Sequence, residues 1–368
     1  MAALQKHTTE FPPEDERSPQ NGLQQFEQLQ YQTIDTQDRL YWMLQLRDCF
    51  DHSTCAASNY KIMLTLAVRL SDWVMVIDIY QAAIKQNEIK QNEIKPHEKT
   101  TSSRPSSVKE KITLTLDCAE AYVQLGVPAQ AMNLLREALF QHYQNSTLFS
   151  YYSWAQQKNT SIQKSKIPWQ DCSSKELQLI PLESHHIDAF RWTYSKQSTG
   201  NNSVAELCNL PKFQSNDDWL KWLQDCGHYQ NHYLYTVIHQ EWGFIGSVCL
   251  EVFNGTGFFY YWLGEDFQGY GFGPQAIDIL LTLGQKHKNM ACCYAKVYDY
   301  NIPSQKALNK IGFIPLPIKL AAPHQNEHLY YFGPTKNQRQ YHQELNTLFT
   351  DMESDMHLEI TRDSLLGV

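Results

Sequence analysis

Three glycines within five positions, in the stretch "DFQGYGFGPQAIDILL" at 266–281, are the feature of this chain best suited to hold a charged ligand against the backbone. Only 16 glycines serve 368 residues, so their local density carries information. Gly269, Gly271 and Gly273 permit turns that a side chain forbids, and they let another group approach the main chain closely. Pro274 follows, in the first turn of an apolar segment with helical spacing, where proline is best tolerated. A glycine-rich loop feeding a helix N-terminus gathers unpaired N–H groups at the positive end of the helix dipole, which makes a place for phosphate.

The remaining reactive side chains narrow the chemistry by exclusion. His228 and His232 stand four apart, a spacing that grips a metal on a helix. The surrounding "CGHYQNHY" has loop composition, with no carboxylate at the expected spacing and no partner cysteine, so no metal site is expected. Nine cysteines, odd in number and without a C-x-x-C pair, fit a reduced, cytoplasmic protein better than a disulfide framework. A formal charge of -8 and a pI near 6.0 argue against nucleic acid as a partner, since neutralising phosphates needs a basic face. The polar N-terminus, and the lack of any apolar run long enough to span a bilayer, argue against a membrane.

Length and texture divide the chain into two domains. Residues 1–28 are rich in Gln, Pro and charge and are expected to be disordered. Residues 29–160 read as helices, interrupted by a flexible insert at 85–108 that opens with K-Q-N-E-I twice in tandem. On either side, "LTLAVRLSDWVMVIDIYQAAI" and "CAEAYVQLGVPAQAMNLLREAL" place small and aromatic residues in one shared frame, and both resemble tetratricopeptide repeats. The 55 positions from Ala83 to Ala138 equal the repeat's period of about 34 plus an insert of roughly 21 residues. Such a resemblance implies a surface for a peptide or protein.

From Glu176 the periodicity changes to short strands: "LQLIPL", then "YLYTVIH", "WGFIGSVCLEVF" and "GTGFFYYWLGEDF" separated by turn residues. Helices are expected over "ESHHIDAFRWTYS" and over "SNDDWLKWLQDC", the latter capped by Ser215 or Asn216. After the glycine loop and its helix come strand "CCYAKVYDY", helix "SQKALNKIGF" and strand "HLYYFGP". Antiparallel strands followed by a βαβ element make a mixed α/β domain over 176–334, and 335–368 reads as an acidic helical tail.

The order of elements and two motifs resemble the GNAT superfamily of acyl-CoA-dependent N-acyltransferases, in particular its ribosomal-protein N-terminal acetyltransferase branch. Gln268, Gly271 and Gly273 meet its Q/R-x-x-G-x-G/A signature, while Asn301, Ser304, Gly312 and Phe313 meet a second, Asn-x-x-Ser before a helix ending in Gly-Phe. Tyr261 and Trp262 match that branch's Tyr-Trp pair ahead of the loop. The fold class implied is α+β: an all-α tetratricopeptide-like helical repeat domain followed by a mixed α/β GNAT acyltransferase domain.

By this resemblance the phosphate is the pyrophosphate of acetyl-CoA or another acyl-CoA. The backbone of Gln268, Gly269, Tyr270, Gly271, Phe272 and Gly273 is expected to hold it, with Asn301 and Ser304 from the second motif. The thioester oxygen is expected near the amides of Leu263 and Gly264. Ser304 occupies the place of the acid that protonates the departing thiolate, and capping the following helix is its alternative role. Phe258 stands where many relatives carry a glutamate base, which leaves Glu251, Glu265 and Asp299 as substitutes. The implied function is N-acetylation of an amine on a protein or peptide that the helical repeats recruit. The alternatives are a small-molecule amine acetyltransferase and a non-catalytic acyl-CoA-binding adaptor.

Overall fold

The computed structural model describes residues 39–52, 57–93, 108–164, 171–195, 210, 211, 213–229 and 231–359, together with 26, 29 and 34. The N-terminal stretch 1–28, apart from Phe26, lies outside the described residues, as does 94–107 of the expected insert. The chain forms two compact units, one of Met1–Lys166 with Gln240–Gly243, the other of Ile167–His239 with Phe244–Val368.

The first unit contains the helices α1 (Arg39–His52), α2 (Ala57–Arg69), α3 (Trp73–Glu93), α4 (Val108–Gln124), α5 (Pro128–Gln141) and α6 (Ser146–Lys164). Because α3 runs on to Glu93, the first nine residues of the expected flexible insert are helical. The turns after α2 and α4 are built alike. Ser71 (φ 52°) and Gly126 (φ 77°), 55 positions apart, both take the left-handed conformation. Around them the amides of Leu70, Ser71 and Asp72 reach the carbonyls of Leu66, Val68 and Ala67, and those of Leu125, Gly126 and Val127 reach Ala121, Val123 and Tyr122. Paired bonds of this kind close a helix in the Schellman pattern. The shared sequence frame thus reports a shared hairpin geometry, with Ala67, Leu70, Val76 and Ala83 buried in one hairpin and Ala119, Ala131 and Leu135 in the other.

The second unit is one seven-stranded mixed sheet of order β1-β2-β3-β4-β5-β7-β6. Its strands are β1 (Leu177–Pro181), β2 (His232–His239), β3 (Gly243–Phe253), β4 (Thr256–Leu263), β5 (Cys292–Tyr298), β6 (Ile314–Lys319) and β7 (Glu327–Phe332). Helix α7 (Ile187–Ser195) follows β1, α8 (Asn216–Gly227) precedes β2, α9 (Phe272–His287) joins β4 to β5, and α10 (Ile302–Lys310) follows β5. Ser215 caps α8, accepting from the Asp218 amide at 3.1 Å. β4 and β5 are parallel, as a strand-helix-strand crossover requires, while β3–β4, β5–β7 and β6–β7 are antiparallel.

Two elements differ from the sequence expectation. β6 runs against the local pattern, because Pro315 and Pro317 read as strand breakers; it lies at the sheet edge, where a missing N–H costs no ladder bond. The C-terminal helix α11 (Gln338–Asp351) is no tail. Tyr341, Leu345, Leu348 and Phe349 share one face and pack with Phe258, Tyr294, Leu329 and Tyr331 of the sheet. Glu344 adds a polar anchor, bonded to Lys336 Nζ at 2.6 Å and to the Tyr294 hydroxyl. The domain therefore continues past residue 334, and Leu320 bridges to Leu358.

If α11 is part of this core, Leu345→Ala should cost about 2–4 kcal/mol of the second unit's unfolding free energy by denaturant titration. A loss below about 0.5 kcal/mol, the range of surface substitutions, would return the helix to a peripheral role.

Candidate active site

The opening that could accept a ligand arises where β4 and β5 stop pairing. Their ladder holds three pairs, Thr256–Cys292, Gly257–Cys293 and Phe258–Tyr294, although β4 runs on to Leu263 and β5 to Tyr298. Gly257 permits the close approach at the paired end: a Cβ there would meet Met290 Sδ and lie 3.1 Å from Cys293 Sγ. Beyond it β4 carries Phe259 and Tyr261 on the same face, and Phe259 packs against Phe313 at 5.5 Å.

The β3–β4 register decides which amide faces the opening. The Gly264 amide donates to the Ile245 carbonyl at 2.9 Å, so it is occupied. Antiparallel partners alternate between bonded and non-bonded pairs, and Leu263, opposite Gly246, is in the non-bonded class. The Leu263 amide therefore points away from β3, toward the side where β5 has parted. Its carbonyl points the same way and accepts from Gln268 Nε2 at 3.0 Å, which places the first motif residue beside the opening. Gly246 is required there, since a Cβ would strike the Trp262 carbonyl.

The loop behind β4 has the conformation its glycines imply. Gly269 (φ 82°) and Gly271 (φ 86°) are left-handed, and no atom lies within 4 Å of where a Cβ on either would stand. The amides of Gly269, Gly271, Phe272 and Gly273 reach no backbone carbonyl among the described residues. Gly271 caps α9, so these donors converge at its positive end, a cradle that fits a pyrophosphate. Gly273 serves packing instead, because a Cβ there would stand 3.1 Å from the Tyr261 ring.

The second motif closes the same region. Asn301 is the N-cap of α10, its Oδ1 accepting the Ser304 amide at 3.3 Å. The capping role considered for Ser304 thus belongs to Asn301. The Ser304 hydroxyl instead meets the Tyr261 hydroxyl at 3.4 Å, half-buried between β4 and α10. Tyr261 touches both motifs, a role that the sequence signals only by the Tyr-Trp pair.

The candidate bases separate. Glu265 is exposed and begins a single 3-10 turn, two residues past Leu263. Asp299 is exposed at the end of β5. Glu251 pairs across β3–β4 with Phe258, five residues and about 16 Å from Leu263 along the strand. The structure does not bring Glu251 together with the loop. Phe258 itself is buried in the core beneath α11.

Residues 176–314 match the family described as Acetyltransferase (GNAT) domain. The chain carries a GNAT acetyltransferase domain. Among solved structures, the GNAT domain is similar to RimL, a ribosomal L7/L12 alpha-N-protein acetyltransferase in complex with coenzyme A, at 19% identity over 45% of this chain and 96% of that one, TM-score 0.39. An acetyltransferase from Salmonella typhimurium that modifies the N-terminal serine of L7/L12 is 20% identical over 44% and 97%, TM-score 0.38. Spermidine N-acetyltransferase from Vibrio cholerae, with CoA and spermine, is 18% identical over 43% and 96%, TM-score 0.38. No curated protein matches the chain. Among the described residues no helix is long and apolar enough to cross a membrane.

Aromatic side chains hold α7 and α8 of the GNAT domain to the sheet. Phe190 is fully buried and meets Trp219 at 5.3 Å, Trp222 at 5.7 Å and Trp262 at 5.0 Å. The adjacent His186, whose polar neighbours suggest the surface, is buried, and its Nδ1 accepts the Glu183 amide at 3.0 Å.

Burial pushes the Glu251 carboxyl up to about 7. The folded state thus holds a proton that the unfolded chain has lost, so this contribution is present below the ordinary glutamate range and disappears as pH rises through about 7. In a chelating buffer, the fall in unfolding free energy between pH 5 and pH 8 should be about 2 kcal/mol smaller in Glu251→Gln than in the parent. Parallel pH profiles for the two proteins would show that Glu251 titrates normally.

Proposed function

We propose that this chain transfers the acetyl group of acetyl-CoA to an amine of a protein or peptide, with the helical unit recruiting the acceptor. The observation that carries the reading is the coincidence, in one GNAT domain, of a parted β4–β5 edge with an open glycine cradle at the N-terminus of α9.

Pyrophosphate binds the amides from Gln268 to Gly273, and the pantetheine arm lies between the parted strands. The Leu263 amide donates to the thioester oxygen and to the oxyanion that forms when the amine adds to the carbonyl carbon. The carbon–sulfur bond then breaks, and the Ser304 hydroxyl, oriented by Tyr261, gives its proton to the departing thiolate. Glu265 takes the amine proton, directly or through one water. Glu251 is excluded from direct proton transfer by its distance from Leu263.

A protein acceptor is favoured by the helical unit. Phe140, Tyr143 and Phe149, exposed at 91%, 78% and 62%, gather at the α5–α6 turn, where large exposed aromatics mark a surface for binding. The tetratricopeptide-like frame of the two hairpins agrees with that use.

Titration with acetyl-CoA should show binding that Gly271→Asp abolishes, since a carboxylate at a left-handed position both strains the loop and repels phosphate. Thiol release with a panel of basic peptides and small amines should then be peptide-dependent. Glu265→Gln and Ser304→Ala should each lower kcat by roughly 10²-fold or more with acetyl-CoA binding retained, while Glu251→Gln changes it by less than about threefold. Release on small amines alone would contradict the acceptor class, and binding without turnover on any amine would make the chain an acyl-CoA-binding adaptor.

A further inference from the structure

Glu251, unused by the transfer reaction, belongs to a second cluster of chemically capable side chains. Cys249 and Glu251 lie two apart on β3 and so share a face, and Tyr260 stands opposite Cys249 on β4. His232 opens the adjacent β2. The ligating atoms of His232, Cys249 and Glu251 all lie within 4.8 Å of one another, with His232 Nε2 3.8 Å from Glu251 Oε1. Cys249 is 1% exposed, and the His232 and Glu251 side chains are 10% and 16% exposed.

The His232 ring is oriented to offer Nε2 to a metal. The Cys226 carbonyl, in the last turn of α8, lies 3.4 Å from His232 Nδ1 and selects the tautomer that leaves Nε2 as an acceptor. The Tyr260 hydroxyl lies 2.8 Å from Nε2, on the side where that lone pair points. Among the described residues no Lys or Arg lies within ion-pair distance of Glu251, and buried carboxylates are ordinarily paired or bound to metal. A thiolate and a carboxylate together carry the charge that one divalent cation cancels.

We propose that His232, Cys249 and Glu251 bind one zinc ion, a structural site that fastens the end of α8 to β2 and β3. The mixed nitrogen, sulfur and oxygen set suits zinc rather than calcium or magnesium, which take oxygen ligands. Binding releases the Cys249 thiol proton and any Glu251 proton to solvent, leaving two anionic ligands and one neutral ligand around the ion. The His228–His232 spacing does not form the site: His228 ends α8 as its exposed C-cap, and His232 finds its partners across the sheet.

The test is metal analysis of the purified full chain, followed by chelation and titration with zinc and with cobalt(II). About one zinc per chain is expected, together with a thiolate-to-cobalt charge-transfer band in the cobalt form. Cys249→Ser should abolish that band, and Cys249→Ser and His232→Gln should each weaken zinc binding at least about 100-fold, against no change in His228→Gln. Cobalt titration of the unmodified chain keeps the test valid if a variant fails to fold. Absence of stoichiometric zinc and of the cobalt band in the unmodified chain, or persistence of the band in Cys249→Ser, would overturn the site.

Discussion

The pairing of β4 with β5 stops after three residues, and the candidate active site depends on that interruption. Had the ladder continued, the Leu263 amide and carbonyl would be spent on a neighbouring strand, and no channel would cross the sheet. Glycine at 257 lets the strands close at one end, and large aromatic side chains at 259 and 261 occupy the face beyond it. Both strands remain fixed on their outer sides, β4 by its long antiparallel ladder to β3 and β5 by six pairs with β7. The opening is set by the pairing on either side of it.

Positioning follows from the same strand. β4 delivers Leu263 to the opening, Tyr261 to the second motif, and the chain itself into the glycine loop. Tyr261 links them: its ring limits residue 273 to glycine, and its hydroxyl meets Ser304. Opposite, Trp262 enters the aromatic layer centred on Phe190, so alternate side chains of one strand serve the candidate site and the packing of α7 and α8. The core beneath Phe258 is completed by α11. That packing accommodates the apolar side chain of Phe258.

Much of this is legible in the sequence where the signal is local. The glycine loop, its helix, the Asn-x-x-Ser motif and the strand order all rest on periodicity or on residues close in the chain. The hairpin equivalence in the helical unit is legible for the same reason, since spacing fixes which turns correspond. Features that depend on position in the sheet are not. Pro315 and Pro317 argue against a strand until β6 is known to lie at an edge, and the charge of α11 suggests a tail when its apolar stripe is the informative pattern. Ser304 cannot be separated from a capping role until Asn301 is seen to take it. The His232, Cys249 and Glu251 group joins two strands at spacings that match no motif, so register alone assembles it.

On the proposed reading, acyl-CoA occupies the parted β4–β5 edge with its pyrophosphate at the N-terminus of α9. Amide hydrogen exchange of the full chain with and without acetyl-CoA tests this directly, because the amides of Gly269, Gly271, Phe272 and Gly273 reach no backbone carbonyl among the described residues. New protection is expected at Leu263 and across Gly269–Gly273, with little change in the aromatic layer around Phe190. Protection elsewhere with the loop unchanged, or no protection at a concentration that saturates binding, would contradict it.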